Sequence, residues 1–239
     1  MVKPKKSLSQ NFLIDKNISK KIIDQTKVKN KNILEIGPGL GFLTDDILKR
    51  NPKKIYLIEK DFNLKKKLYE KYKNNHRVVI IGDDILKTNL EEFKNLIVIS
   101  NLPYNISSKI ILYLFNYNKN IYEMVFMIQK EMSLKFDYKL PNMNKYKFLT
   151  RIVSDYYRCF DISSNVFFPK PKVKSSIVKF IFNKKNIDLK KANYFSKMIF
   201  KNLRKKIYNN IQFSGESQIL NKRVNQLSIN ELLTIYNSF

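Results

Sequence analysis

The chain has 239 residues, enough for one main domain and a small appendage. Hydrophobic residues make up 44% of it, which excludes a disordered chain, and 46 Lys and Arg against 20 Asp and Glu leave a formal net charge of +26. A field of that sign attracts polyanions, so nucleic acid is the expected partner. Six of the basic residues are arginine. Lys, Asn and Ile share A/T-rich codons, so genome composition can account for part of the lysine excess. The acids have not risen to cancel it. The single cysteine, Cys159, excludes an intramolecular disulfide and fits a reducing compartment. Met1–Gln10 is basic, but Asn11–Ser19 is no continuous apolar stretch, and no run of about 20 apolar residues marks a membrane span. The expectation is a soluble cytoplasmic monomer, or an organellar-matrix protein in a eukaryotic host.

In chain order, the pattern predicts a helix over Asp15–Lys27, capped by Asp15 or Asn17, with Ile18, Ile22 and Ile23 as one stripe. Asn32–Ile36 is a short apolar strand running into Gly37-Pro38-Gly39-Leu40-Gly41, and a helix follows over Phe42–Arg50. Strand Lys54–Glu59, helix Asp61–Tyr72, strand Arg77–Ile81 and strand Leu96–Ser100 come next. After Asn101-Leu102-Pro103-Tyr104, a helix over Ser107–Phe115, a strand over Glu123–Ile128 and a short helix near Lys130–Phe136 complete the alternation. Alternating strands and helices with near-continuous apolar strands predict an α/β fold with a parallel sheet covered on both faces. Pro141–Lys147 reads as a polar loop, and Arg151–Phe160 and Ser175–Phe182 as two closing strands around a Phe167–Val173 turn. From Ile187 onward the chain reads as a small helical module. The expected domains are therefore residues 1–186 and residues 187–239.

The glycine turn lies between a strand and a helix, where ligands of such sheets bind. Glu35 precedes it, and Glu59 ends the next strand 22 residues after Gly37, placed to accept from ribose hydroxyls. This spacing also suits a dinucleotide such as NAD. The pattern is G-x-G-x-G and lacks the final glycine of the dinucleotide fingerprint, so a nucleoside without phosphates fits better. Asp84, or Asp83 beside it, can accept from an adenine amine. An ordinary tight turn and solvent-facing acids are the plain alternatives.

Asn101-Leu102-Pro103-Tyr104 ends the fourth strand, on the same sheet edge as the glycine turn. The lone pair of an adenine amine is delocalised into the ring. The Asn101 side-chain oxygen and the Leu102 carbonyl, its direction restricted by Pro103, can accept from its two N–H groups and favour a more pyramidal nitrogen. Tyr104 offers a face on which an extruded base can stack. A plain turn with a packed tyrosine is the alternative. His76, the one histidine, and Cys159 read as structural, and no Cys/His cluster suggests a metal.

With these motifs in order, the sequence resembles the small-subunit ribosomal RNA adenine N6,N6-dimethyltransferases, relatives of the erythromycin-resistance methyltransferases. The resemblance is carried by Ser9-Gln10-Asn11-Phe12-Leu13, Glu35–Gly41, Glu59-Lys60-Asp61, Asn101–Ser107, Phe126–Glu131 and Phe167–Val173. It implies a Rossmann-like methyltransferase sheet in a catalytic domain 1–186, an RNA-contacting helical domain 187–239, and S-adenosylmethionine as methyl donor, with Asn11, Leu13, Gly37, Gly39, Glu59, Asp84 and Asn101 at the cofactor. It implies that Asn101, Leu102, Pro103 and Tyr104 act on the target adenine, with Phe167 stacking opposite Tyr104. The implied substrate is a pair of adjacent adenosines in a hairpin loop near the 3′ end of small-subunit rRNA, within a pre-ribosomal subunit. Lys3–Lys6, Lys170, Lys172 and Lys174 are candidates for phosphate contacts, as are Arg204, Lys205 and Lys206, which with Phe200 and Asn209 resemble a basic family motif. The chain departs from the family at Phe148-Leu149-Thr150-Arg151, where a Gly-Arg-Leu-Ser-like segment is common. The Gly-Pro-Gly-Leu-Gly and Asn-Leu-Pro-Tyr forms favour the small-subunit enzymes over the large-subunit resistance type. A non-catalytic assembly factor and a DNA adenine methyltransferase remain the other readings.

Overall fold

The computed structural model describes residues 11–183, 187–211 and 217–239; Lys3–Lys6, Ser9 and Gln10 lie outside the described residues. By contact the chain forms two units, one of residues 1–132 with 157–182 and one of residues 133–156 with 183–239. The second unit thus takes in a segment that precedes residue 186.

The first unit is built on β2 (Asn32–Ile36), β3 (Lys54–Ile58), β4 (Val78–Ile81), β5 (Leu96–Asn101) and β6 (Ile121–Gln129), all parallel, then β9 (Ser175–Phe182) antiparallel to β6, and at the edge β7 (Ser154–Ile162), which belongs to this unit from Tyr157 onward. The spatial order is β4-β3-β2-β5-β6-β9-β7. In β2 and β5, Ile33, Leu34, Leu96, Val98 and Ile99 are wholly buried, each contributing roughly 1.5–3 kcal/mol. Burial on both faces is why these strands read as apolar runs.

The helices of this unit are α1 (Lys16–Ile23), α2 (Phe42–Leu48), α3 (Phe62–Tyr72) and α4 (Ser107–Phe115). Asp15 caps α1 by accepting from the N–H groups of Asn17 and Ile18, and Asp61 caps α3 through Asn63 and Leu64. Two short strands escape the sequence pattern: β1 (Phe12–Leu13) pairs antiparallel with β8 (Phe167–Phe168), Leu13 opposite Phe167.

α5 (Lys130–Phe136) runs into the second unit, whose core forms where α6 (Lys145–Val153), α7 (Leu189–Ile199) and α9 (Ile229–Ser238) meet; α8 (Ser217–Leu220) is a single turn. Phe148, Phe195 and Tyr236 meet there with ring centroids 5.2–5.3 Å apart. Phe148-Leu149-Thr150-Arg151 is therefore helical, and the strand expected from Arg151 begins only at Ser154. Asn144 starts α6 by accepting from Tyr146 and Lys147 N–H, and the helix buries Phe148, Leu149 and Val153 on one face. Lys147 is buried too, its ammonium donating to the carbonyls of Leu140, Pro141 and Asn142; burial lowers its pKa. Among the described residues no helix is long and apolar enough to cross a membrane.

Candidate active site

The strand order reverses at β2: the chain leaves it for β3 on one side, and β5 lies on the other. Such a switch point opens a crevice at the carboxyl ends of the strands. Ser100 Oγ donates to Ile36 O and ties these two strand ends together. The glycine turn leaves β2 and the Asn101–Tyr104 loop leaves β5, and both line one cavity of about 400 Å³, the size of a small-molecule pocket. Asn11, Leu13, Glu59 and Asp84 line the same cavity.

The three glycines serve three purposes, all at positive φ. A side chain on Gly37 would point into open space, so its absence leaves room for a ligand. A Cβ on Gly39 would lie 2.9 Å from the Phe12 ring, so there the close approach is to β1. A Cβ on Gly41 would lie 2.3 Å from the Tyr72 hydroxyl.

The acids are held by the backbone around them. Glu59 is 7% exposed and accepts from Gly39 N–H at 3.2 Å and Asp61 N–H at 2.9 Å; burial raises its pKa against those bonds. Asp84 accepts from Leu86 N–H at 3.0 Å and pairs with Lys60 at 2.8 Å; that ammonium holds its carboxyl below the usual range. Asp83 accepts from Asp84 N–H at 2.6 Å.

Glu35 is the most perturbed carboxyl among the described residues. Burial pushes its carboxyl up to about 8, against the lowering effect of the Thr44 hydroxyl donating at 2.6 Å; the charges of Asp45 and Glu59 add to the rise. The native state holds this proton at pH values where an unfolded chain, with its acid near 4.5, has released it. The stability so contributed is full below the unfolded value and is lost as pH rises through about 8, a change of up to about 5 kcal/mol. Glu35→Gln keeps an acceptor for Thr44 and removes the titration. Melting temperatures from pH 5 to 9 are expected to fall less in this variant than in the wild type; parallel curves would refute the assignment.

Asn101 Nδ2 donates to Asn11 O at 2.8 Å, which fixes the amide plane and leaves Oδ1 as the acceptor end. Leu102 is buried, its N–H donating to Met127 O at 3.2 Å. Pro103 O accepts from Ile106 N–H and closes the turn. Tyr104 Oη and Ser175 Oγ share a hydrogen bond at 2.6 Å, which anchors the ring to the start of β9.

Phe167 does not join this group. It is 3% exposed, belongs to the hydrophobic core with Leu13, and is not among the cavity-lining residues; Phe168 beside it is 55% exposed. Adjacent residues of a strand face opposite ways, and pairing with β1 turns Phe167 inward. Lys170, Lys172 and Lys174 are exposed after β8, and Arg204, Lys205 and Lys206 are exposed in a turn of the second unit. Lys206 Nζ donates to Asn221 Oδ1 at 3.3 Å. His76 is exposed, and Cys159 is half-buried, its thiol pKa raised by burial.

The profile of the ribosomal RNA adenine dimethylase family matches residues 1–239. The chain belongs to this family. Similar proteins include the ribosomal RNA small subunit methyltransferases A of Hydrogenobaculum sp. (35% identical, 100% of this chain and 94% of that protein) and Malacoplasma penetrans (38%, 94% and 84%). Among solved structures, the 23S rRNA methyltransferase ErmE superposes with TM-score 0.79 at 18% identity, covering 95% of this chain and 98% of that one. A dimethyladenosine transferase from Plasmodium falciparum gives 0.77 at 22%, covering 95% and 97%. These two likenesses establish the Rossmann-like methyltransferase fold of this dimethylase.

A ribosomal RNA adenine dimethylase uses a methyl donor of the S-adenosylmethionine type. The residues present fit such a group: open space beside Gly37, and buried or pinned carboxylates at Glu59 and Asp84 suited to hydroxyl and amine donors. Sequence reasoning gave no role to Thr44, Phe12, Ser175 or Lys60, which lie against Glu35, Gly39, Tyr104 and Asp84. The two serines that open β9 were the visible signal for Ser175.

Proposed function

We propose that this dimethylase transfers methyl groups from S-adenosylmethionine to N6 of two adjacent adenosines in a hairpin loop near the 3′ end of small-subunit rRNA, as part of small-subunit maturation. The observation that carries the reading is that the Asn101–Tyr104 loop and the Gly37 turn line one cavity. Relatives at 35–38% identity named as small-subunit methyltransferases support the substrate.

S-adenosylmethionine supplies an electrophilic methyl on a sulfonium, so no covalent enzyme intermediate is needed. Asn11, Leu13, Gly37, Glu59 and Asp84 would hold it, with Glu59 accepting from the ribose and Asp84 from the adenine amine. Asn101 Oδ1 and Leu102 O accept from the two target N–H groups and direct the nitrogen lone pair along the line of transfer. Tyr104 supplies one stacking face, and its hydroxyl tie to Ser175 keeps the ring from turning away. A methyl group passed from the sulfonium to N6 would leave that nitrogen acidic, and its proton would go to water, so no general base is required of these residues. An unpaired loop makes extrusion of the base inexpensive. Transfer of labelled methyl to small subunits lacking the modification tests the reading; binding without transfer would favour an assembly factor instead.

Lys170, Lys172, Arg204, Lys205 and Lys206 are proposed to meet RNA phosphates. Replacing Arg204, Lys205 and Lys206 by alanine is expected to weaken RNA binding and flatten the slope of log K against log salt by about 2. Filter binding at several salt concentrations reads the slope, and an unchanged value would move the binding face elsewhere.

A further inference from the structure

Lys60 follows Glu59 at the end of β3, lines the cavity, and bridges to Asp84 Oδ2 at 2.8 Å in the turn after β4. The other oxygen of Asp84 accepts from Leu86 N–H at 3.0 Å, so the carboxylate is pinned through both oxygens. The Asp84 side chain is 18% exposed and that of Lys60 is 65%, so the lysine approaches a more enclosed acid from the solvent side. A carboxylate has about four acceptor sites, and two remain for a ligand N–H. Glu35, Glu59, Asp83 and Asp84 all line the cavity, and among the described residues Lys60 is the one lysine that does. A methyl donor with a sulfonium and an ammonium is attracted to any free carboxylate there, whichever way round it enters.

We propose that Lys60 is a specificity-determining residue for the methyl donor: by pinning and neutralising Asp84 it presents one oriented acceptor to the adenine amine and keeps the cationic end of the donor from that acid. This rests on the cofactor reading above. Sequence reading gave Lys60 no role, since a lysine after an acidic strand end looks like a solvated charge. Pinning matters because a carboxylate held through one oxygen alone can rotate, and a charge-assisted hydrogen bond is lost when its acceptor turns away.

The test is calorimetric titration of S-adenosylhomocysteine into the full chain, with no RNA present. Lys60→Met keeps the stem and removes the charge. It is expected to weaken binding about tenfold, the cost of losing one aligned charge-assisted bond. In an Asp84→Asn background the same change is expected to cost no more than about twofold, because the acid it acts on is gone. Lys60→Arg, which can still reach a carboxylate, is expected to restore affinity to within about threefold of the wild type. A Lys60→Met chain with the wild-type melting temperature and wild-type affinity would overturn the proposal. So would effects of Lys60→Met and Asp84→Asn that simply multiply. A wild-type chain that bound no S-adenosylhomocysteine would overturn the cofactor reading itself and the role of Lys60 with it.

Discussion

Asn101→Ala is expected to lower methyl transfer by about 10²–10³-fold while leaving RNA affinity within a few fold, the scale seen when one preorganised hydrogen-bonding group is removed from a reacting centre. In the proposed mechanism the side chain has two jobs at once. Its amide N–H donates to Asn11 O at 2.8 Å, and that bond aims its oxygen. Asn101→Asp separates the two: it keeps an oxygen acceptor but sets a carboxylate against the Asn11 carbonyl, so it is expected to lose activity too. In the proposed mechanism, stacking on Tyr104 would contribute about 1–3 kcal/mol to holding the base, so the base could still enter an Asn101→Ala site. What is lost is the direction of its nitrogen. Single-turnover transfer of labelled methyl to undermethylated small subunits measures this, and near-normal turnover by the alanine variant would remove Asn101 from the mechanism.

The parallel sheet was legible because both its faces are covered: Asn32–Ile36 and Leu96–Ser100 show as apolar runs whatever packs on them. The glycine turn and the Asn101 loop were legible because glycine and proline restrict the backbone locally. Features set by distant partners were not. Phe167 reads as an aromatic before two prolines, and only its pairing with β1 decides that it faces Leu13 and Phe168 faces solvent. Helix α6 was hidden because its apolar spacing runs straight into the aromatic, strand-like Tyr156-Tyr157, and because its cap, Asn144, stands in a polar stretch that reads as loop. Lys147 looked like one more surface charge, yet three carbonyls of the preceding loop hold it inside the second unit. In a chain with 46 basic residues, such a lysine leaves no compositional trace.

Gly41→Ala is expected to destabilise the chain by about 2–4 kcal/mol, combining left-handed backbone strain with overpacking. Gly41 has φ +75, and an added Cβ would lie 2.3 Å from Tyr72 Oη and 3.1 Å from two ring carbons. Tyr72 cannot easily yield. It is 7% exposed, and its hydroxyl lies 2.7 Å from Asp45 Oδ1 and 3.0 Å from Gly41 O. The first turn of α2 is thereby tied to the last turn of α3, and the glycine turn is held between them. With total stability of roughly 5–15 kcal/mol, the loss corresponds to a fall in melting temperature of about 5–15 °C. Tyr72→Phe removes the atom at 2.3 Å but leaves the ring contacts and the backbone angle. The double variant Gly41→Ala/Tyr72→Phe is therefore expected to be more stable than the sum of the two single changes predicts. Thermal melts of the four proteins decide it. A Gly41→Ala chain melting with the wild type would mean that α2 and α3 can separate without cost, and the site would lose the rigid floor on which Gly37 and Glu59 are placed.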